Sequence, residues 1–484
     1  MIGRTGAPRY CRGPGDNPMP QLSQLRVATS MRSVTLAVLV TGLAAGLMAG
    51  PAFAQLGNAA PKAKAKAQTE AKSKKATRAA RKKSLSAGVR ISNSPHPTYD
   101  NDTARLISAA MLSYSTLEVR GGWPTLPPDV MTLAPDSSGP EVALLRERLI
   151  ITDDLAPEHA EGDVFDANIT AAIRRFQSRH GLEETGTIGK RTLAALNVPV
   201  TRRLRQLAAS LDRISAMDFV FGHRYVVVNI PAAVTEAVEN GKVVRRHAAI
   251  VGKPDRPSPT LTTSITAVNL NPTWTVPLSI VKKDIRLKMR RDPGYIARMR
   301  MRVLDGSGRE IDARAVNWGS DGAPNFTVRQ DSGTWNALGA VRFDMPNPHS
   351  VYLHDTNNRS LFSADYRFQS SGCARLENPR DFAVWLLQEQ DGWSRARIDA
   401  AIATGQRQDV RLTRKVPVAW IYLTGWVTRD NVVHFRDDIY NHDGAPSRAL
   451  VADLGARNDL RASGFILQSA DPEPVRAVSY LDSQ

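Results

Sequence analysis

The sequence predicts an α+β protein in which a small helical module precedes a β-rich domain with an inserted lid. Apolar residues recur at helical spacing between residues 138 and 199. Alternating β-branched residues begin at Tyr225, and Asn240-Gly241 is a strong type I′ hairpin signal. Residues 278–328 interrupt this β pattern with a stretch rich in Arg, Asp, Gly and Met. A long insertion of that kind favours a lid or binding loop, the alternative being a helical excursion that only supports the sheet.

The positive charge of the chain is concentrated near its N-terminus. Of the net +17, residues 1–54 contribute +4 and residues 61–90 contribute +10, which leaves about +3 for the rest of the 484 residues. The part expected to fold is therefore nearly neutral, and nucleic acid is not an expected partner.

Residues 1–54 are typical of a secretory signal peptide. Arg32 precedes a 16-residue apolar run from Val34 to Ala49, and the small-x-small sequence at 52–54 predicts cleavage after Ala54. The run is shorter than the ~20 residues that span a bilayer, although an uncleaved membrane anchor is the alternative. Residues 1–30 are either an overlong n-region or the product of an upstream start codon. We expect export, to the periplasm and the cell wall.

Residues 55–95 are rich in Ala and Lys and have no apolar face to bury. This composition predicts a disordered, solvated linker. Its lysines suit an anionic envelope surface, and a spacer that is merely soluble is an equally good interpretation.

Helical signals follow in three groups. Residues 96–137 form an N-terminal helical segment, residues 138–199 a compact helical module, and residues 200–220 a linking helix. Asp166 is a predicted N-cap within the module. The β-rich domain then covers residues 221–443, and residues 444–484 form a tail with weak signals.

The chemistry centres on His354 and Cys373, the only cysteine outside the extreme N-terminus. A thiol becomes a competent nucleophile when an imidazole accepts its proton, and the imidazole can then return that proton to a leaving amine. Gly372 permits a tight turn whose backbone N–H groups would stabilise an oxyanion. Arg375 suits a substrate carboxylate or a structural ion pair. Asp355 could orient the ring, although a backbone carbonyl could do the same.

A metal site is the rival for a cysteine that accompanies several histidines. The chain has one usable thiol, no His-Glu-x-x-His and no paired cysteines, so a metal has little support and no cofactor is expected.

Two stretches resemble known families. FD at 165–166 and AIRRFQSRHGLEETGTIGKRTLAALNVP resemble the peptidoglycan-binding domain of wall-associated enzymes. His354 followed by SSGCAR at 370–375 resembles the signature of the L,D-transpeptidase family, with Ser371 where a second His usually stands, as in the large periplasmic branch. Similarity continues through NPTWTVP at 271–277 and GTWNALG at 333–339, which adds Trp274 and Asn336 as candidates for substrate contact alongside Ser371.

The resemblance implies a reaction on peptidoglycan stem peptides. Cys373 would attack the bond between the third residue, a diamino acid, and terminal D-Ala, and the side-chain amine of another stem would take the acyl group from the thioester. The alternatives are a cysteine hydrolase, a sortase-like transpeptidase that attaches proteins to the wall, and a catalytically silent wall-binding scaffold.

Overall fold

A computed structural model describes residues 91–319, 325–364 and 366–444. The predicted signal peptide, residues 55–90 of the predicted linker, and the tail after residue 444 lie outside these residues. The end of the predicted linker differs from expectation, because the Arg246 guanidinium donates to the carbonyls of Ser92 and Ser94 and fixes this segment on the β-rich domain. Within the described ranges, no helix is long and apolar enough to cross a membrane.

The helices and strands are numbered here in chain order. The helices are α1 Thr103–Val119, α2 Pro140–Ile150, α3 Ala167–Arg179, α4 Lys190–Leu196, α5 Val200–Ser215, α6 Leu278–Ile280, α7 Arg286–Arg291, α8 Tyr295–Arg298, α9 Pro379–Leu387 and α10 Arg395–Ala403. The strands are β1 Arg224–Asn229, β2 Val234–Glu239, β3 Lys242–Gly252, β4 Leu261–Leu270, β5 Trp274–Thr275, β6 Met301–Leu304, β7 Glu310–Ile311, β8 Thr327–Gln330, β9 Val341–Asp344, β10 Leu353–His354, β11 Phe368–Ser370, β12 Ala374–Leu376, β13 Gln408–Ile421, β14 Gly425–Val427 and β15 Val433–Phe435.

The helical module is built from α2, α3 and α4 around one apolar core. The core includes Val142, Leu145, Ile169 and Phe176, which the helical spacing predicted. The predicted N-cap is confirmed, since the Asp166 carboxylate accepts from the N–H of Ile169 at 2.9 Å.

The main sheet has the order β11-β3-β12-β10-β9-β4-β13-β1-β2, and β3 also pairs with β2, so the ladder closes on itself. The hairpin between β2 and β3 is confirmed, with positive φ at both Asn240 and Gly241 as a type I′ turn requires. One face of the sheet packs on α9 and α10. The other face packs on α1 and α5 beneath β1 and β13.

The insertion between β4 and β9 has a structure of its own. Helix α6 continues through a π-helical turn at Val281–Ile285 into α7, and β5, β8, β6 and β7 form a separate four-stranded sheet. Val276, Met289, Trp318 and Val328 belong to an apolar core distinct from that of the main sheet. The insertion is therefore a small packed unit rather than an extended loop.

Candidate active site

Two adjacent parallel strands bring His354 and Cys373 together. In the register of β10 and β12, Leu353 lies opposite Ala374 and His354 lies opposite Arg375. Because side chains alternate along a strand, Leu353 and Ala374 enter the core while their neighbours face the opposite side. Tyr352 and Cys373 precede these pairs, and the N–H of Ala374 donates to the Tyr352 carbonyl at 3.2 Å. Thiol and imidazole thus lie on one face of the sheet.

The Cys373 thiol is free and is held in its neutral form. Burial raises its pKa to about 11. The backbone of Tyr352 and the guanidinium groups of Arg375 and Arg342 lower the pKa, but they do not compensate for burial. The residue as a whole is only partly buried, so the thiol is shielded while the loop around it remains reachable.

The His354 imidazole is also neutral. The residue is 5% exposed, and burial together with the Arg375 guanidinium lowers its pKa to about 3, although backbone groups of Asp355 and Leu338 favour the protonated form. Among the described residues, its Nδ1 makes no hydrogen bond of good geometry. The resting site therefore pairs an uncharged thiol with an uncharged base.

A row of polar side chains crosses this face of the sheet. Arg342 lies opposite His354 on β9, and its Nε donates to the Asn269 side-chain oxygen at 2.9 Å. The Asn269 amide in turn donates to Asp409 at 2.8 Å. Arg375 completes the row. Within the described part of the chain, its Nε is buried without a hydrogen-bond acceptor, and its guanidinium has no carboxylate partner. This favours the ligand-facing interpretation of Arg375 over the structural ion pair.

The loop before Cys373 is fixed by serine hydroxyls. Gly372 has φ +119°, which favours glycine. Its N–H donates to Ser370 Oγ at 3.2 Å and its carbonyl accepts from Ser258 Oγ at 2.7 Å. The expected oxyanion donor therefore already has a partner in this conformation. The N–H of Cys373 has no backbone or side-chain acceptor in the described ranges apart from its own thiol.

Ser258 and Tyr440 support this loop from distant parts of the chain. Ser258 Oγ also accepts from the N–H of Gly252 at 2.9 Å, and the Tyr440 hydroxyl accepts from the N–H of Ser258 and donates to the Gly252 carbonyl. Sequence reasoning missed both roles. Tyr440 ends the stretch FRDDIY at 435–440, and the resemblance of that stretch to the L,D-transpeptidase family was its only signal in the sequence.

Two of the sequence candidates turn out to be structural. Asn336 is fully buried, and its amide group bonds to the backbone of Pro272, Asp331 and Leu338. It therefore holds a loop, and the expectation of substrate contact is wrong. The Asp355 carboxylate accepts from the N–H groups of Ala340 and Thr356, so it is committed to the backbone rather than to the imidazole ring.

Ser371 and Trp274 lie at the edge of the site. Ser371 is exposed, and its Oγ accepts from Arg256 at 3.2 Å. The same guanidinium forms a two-pronged ion pair with Asp284 of the insertion. Trp274 begins the first strand of the insertion. Burial raises the pKa of the Tyr352 phenol, and the Trp274 side chain lies close enough to that phenol to oppose part of the rise.

A cavity of about 490 Å³ lies beside the polar row, and its lining includes Tyr352 and Arg342 but neither Cys373 nor His354. Tyr352 and Arg342 line it from the main sheet, Pro277 and Leu278 from the start of the insertion, and Arg407 from the far end. Its size is that of a small-ligand site. A substrate here would lie between the sheet face that carries the thiol and the insertion.

Residues 223–417 match the family model described as "L,D-transpeptidase catalytic domain", and residues 138–196 match the model described as "Putative peptidoglycan binding domain". A curated protein of Haemophilus influenzae named "Putative L,D-transpeptidase" is 33% identical over 241 residues. The alignment covers 49% of this chain and 48% of that protein, so the chain spans about half the length of this relative.

Solved structures are related more distantly. An L,D-transpeptidase from Mycobacterium smegmatis is 17% identical and aligns over 41% of this chain and 58% of its own, with a TM-score of 0.21. An L,D-transpeptidase from Stackebrandtia nassauensis is 13% identical and aligns over 53% and 90%, with a TM-score of 0.23.

Proposed function

Because residues 223–417 match the L,D-transpeptidase family model, we propose that this chain cross-links peptidoglycan stem peptides through a thioester on Cys373. The placement of His354 and Cys373 on one sheet face, which the register of β10 and β12 fixes, is the observation that supports this most strongly. A cavity of substrate size is lined by their neighbours Tyr352 and Arg342. The match of residues 138–196 to a peptidoglycan-binding family supports the same polymer as substrate.

In the proposed first half-reaction, one proton moves from the thiol to His354 and then to the leaving amine. Cys373 Sγ attacks the carbonyl carbon of the third stem residue, and its proton passes to His354. The bond to terminal D-Ala breaks, and the imidazolium returns the proton to the leaving amine. In the second half-reaction, the side-chain amine of another stem attacks the thioester, His354 takes a proton from that amine, and the thiolate of Cys373 recovers it.

Arg375 has opposite effects on the two reacting groups. Its charge lowers the pKa of the thiol, which favours the thiolate, and it lowers the pKa of His354, which disfavours the imidazolium. A substrate carboxylate bound by Arg375 would neutralise that charge and make His354 a stronger base. The same neutralisation would raise the pKa of the Cys373 thiol, so the two changes oppose each other in the transfer of the proton.

The oxyanion would form beside the loop that precedes Cys373. We assign the N–H of Cys373 as its first donor, since it has no other acceptor in the described residues. The N–H of Gly372, which the sequence predicts as an oxyanion donor, would become a second donor once it releases Ser370 Oγ. Loss of one such donor costs ~10²- to 10³-fold in rate.

The setting proposed for this reaction is the exported, periplasmic side of the envelope. The basic residues between 61 and 90 would add attraction to an anionic surface. The peptidoglycan stem is the partner on which the function depends.

Product analysis by mass spectrometry after incubation with purified stem tetrapeptides tests the function. The expected products are a dimer joined between third residues and free D-Ala. Tripeptide and D-Ala without dimer would indicate a hydrolase, and transfer to an added protein amine but not to a stem would indicate a sortase-like enzyme. Unchanged tetrapeptide with retained binding to sacculi would indicate a scaffold, and each of these three outcomes would overturn the proposal.

A further inference from the structure

A second cavity, of about 430 Å³, lies between the helical module and the β-rich domain. Gly181 and Ala194 line it from the module, Arg202 and Arg203 from α5, and Arg436 from the segment after β15. Neither His354 nor Cys373 lines it, so it is separate from the candidate active site. No part of the reaction described above uses it.

Positive charge dominates the lining of this cavity. Its guanidinium groups belong to Arg191, Arg202, Arg203, Arg246, Arg367 and Arg436. Its carboxylates belong to Glu236, Asp437 and Asp438. Glu236 is already bound to Arg246 and Thr98, and Asp438 accepts from the Tyr422 hydroxyl. Asp437 is thus left facing several cations.

Arg203 carries a buried charge with no carboxylate partner in the described ranges. The residue is 6% exposed. Its guanidinium donates to the Gln206 side chain at 2.8 Å and to the Ala195 carbonyl at 3.0 Å, and it stacks 4.5 Å from the centre of the Phe435 ring. Burial lowers its pKa to about 9, although nearby charges such as Asp437 partly oppose this effect. All of its direct partners are neutral.

Arg436, which also lines this cavity, has a similar environment. It donates to the carbonyls of Arg179 and Phe435 and lies 5.0 Å from the centre of the Trp426 ring. No carboxylate among the described residues forms an ion pair with it, and burial together with Arg367 lowers its pKa to about 10. A buried charge of this kind is unfavourable unless it is paired. An anion that entered the cavity would supply the missing counter-charge.

We propose that this cavity binds a carboxylate-bearing peptide, and specifically a peptidoglycan stem held at a second place on the enzyme. Guanidinium groups bind carboxylates in bidentate fashion, and Leu182, Val198 and Pro231 provide apolar surface between them. The volume accommodates a few peptide residues. The identity of the ligand as a stem rests on the proposed function, whereas the preference for carboxylates rests on the cavity alone.

Isothermal titration of the full chain with a stem tripeptide tests this site. Arg202→Ala removes an exposed cation from the cavity rim, and Ala194→Glu adds a negative charge at another exposed rim position. Both should weaken binding at least tenfold, and a tripeptide with amidated carboxylates should bind the wild type equally weakly. Arg205→Ala, which removes an exposed charge from the same helix outside the cavity, should bind like wild type.

Four results would overturn the proposal. One is wild-type affinity in both rim variants, and another is equal binding of the amidated tripeptide. The third is tripeptide binding that Arg375→Ala abolishes, because that result would place the peptide at the active site alone. Inorganic phosphate that binds at the rim without being displaced by tripeptide would likewise exclude a stem.

Acylation of Cys373 by stem tetrapeptide, measured on the same wild-type sample, separates the two proposals. Tripeptide binding without acylation leaves the cavity assignment intact and contradicts the proposed reaction. Acylation of Cys373 without tripeptide binding that depends on the rim residues supports the proposed reaction and contradicts the cavity assignment. Melting temperatures of all variants should agree with wild type, which excludes unfolding as the cause of lost binding.

Discussion

His354 and Arg375 lie directly opposite each other on adjacent parallel strands, with their side chains on the same face of the sheet. The same register places Tyr352 and Cys373 one step earlier. A single guanidinium therefore acts on both members of the proposed catalytic pair. Burial is the main cause of the low pKa of His354, and Arg375 lowers that pKa further, while it opposes the rise that burial causes in the pKa of Cys373. The chemistry of this site follows from strand register more than from the separation of its residues in the sequence.

A neutral resting pair makes a distinct prediction for thiol reactivity. Because the pKa of Cys373 is about 11, the thiolate fraction at pH 7 is only ~10⁻⁴. Alkylation by iodoacetamide should therefore accelerate roughly tenfold per pH unit between pH 7 and pH 10. The measurement uses a Cys11→Ser chain, in which Cys373 is the only thiol. A rate that reaches a plateau below pH 8 would instead indicate a preformed thiolate and imidazolium pair.

Ser258 is predicted to matter although it is not part of the reaction. Ser258→Ala removes the bonds to the Gly372 carbonyl and the Gly252 N–H, so the loop before the thiol should lose its fixed position. We expect acylation of Cys373 by stem tetrapeptide to slow by about tenfold, and the free energy of unfolding to fall by about 1–3 kcal/mol. Ser332→Ala, which removes an exposed hydroxyl bonded to Gly405, is the matched control. An unchanged acylation rate in Ser258→Ala would show that the loop does not depend on this contact.

Arg256 connects the insertion to the nucleophile loop, because it binds both Asp284 and Ser371. Asp284→Asn should release the insertion, slow acylation of Cys373 by stem tetrapeptide about three- to tenfold and make residues 278–291 more sensitive to proteolysis. Asp292→Asn breaks a different ion pair of the insertion, with Arg298, and serves as the control. Acylation kinetics and timed proteolysis measure the effect. Equal behaviour of the two variants would remove any special role for the Arg256 contact.

Buried neutral histidines predict a loss of stability in acid. Burial lowers the pKa of His247 to about 4 and that of His354 to about 3, and it lowers the pKa of His180 as well. The unfolded chain therefore binds more protons than the folded chain below pH ~6.5, and stability falls as the pH drops toward 4. Each such group contributes up to about 1.4 kcal/mol per pH unit in that window.

Melting temperatures at pH 7.5, 6 and 5 check this expectation. His247→Gln should lose stability less steeply than wild type across that range. His349→Gln, a change at an exposed histidine, should follow the wild-type curve. A wild-type melting temperature that does not fall between pH 7.5 and pH 5 would contradict the assignment of neutral buried imidazoles.

Local patterns predicted the elements and the two central residues of the site. The Asn240-Gly241 turn, the Asp166 cap and the pairing of His354 with Cys373 all depend on short stretches of sequence. The supports of the site come from far away. Ser258 reaches Gly372 across 114 residues, and Tyr440 reaches Gly252 across 188, so neither spacing nor periodicity could reveal them.

Asn336 illustrates a different limit of the sequence. It stands in a stretch that resembles the family, yet its amide group is used entirely to hold backbone carbonyls and one N–H group within a buried turn. A motif residue can thus serve the fold as readily as the chemistry, and only its hydrogen-bond partners separate the two.

The cation-rich cavity could not be predicted from the sequence either, because its arginines come from separate parts of the chain: the module, α5, the main sheet and the segment after β15.

Intact-protein mass spectrometry during reaction with stem tetrapeptide tests the central claim most directly. Wild type should show a covalent adduct with the mass of the acyl tripeptide on Cys373, together with release of D-Ala, and Cys373→Ala should show neither. A Cys373→Ala chain that still released D-Ala and formed cross-links would contradict the account.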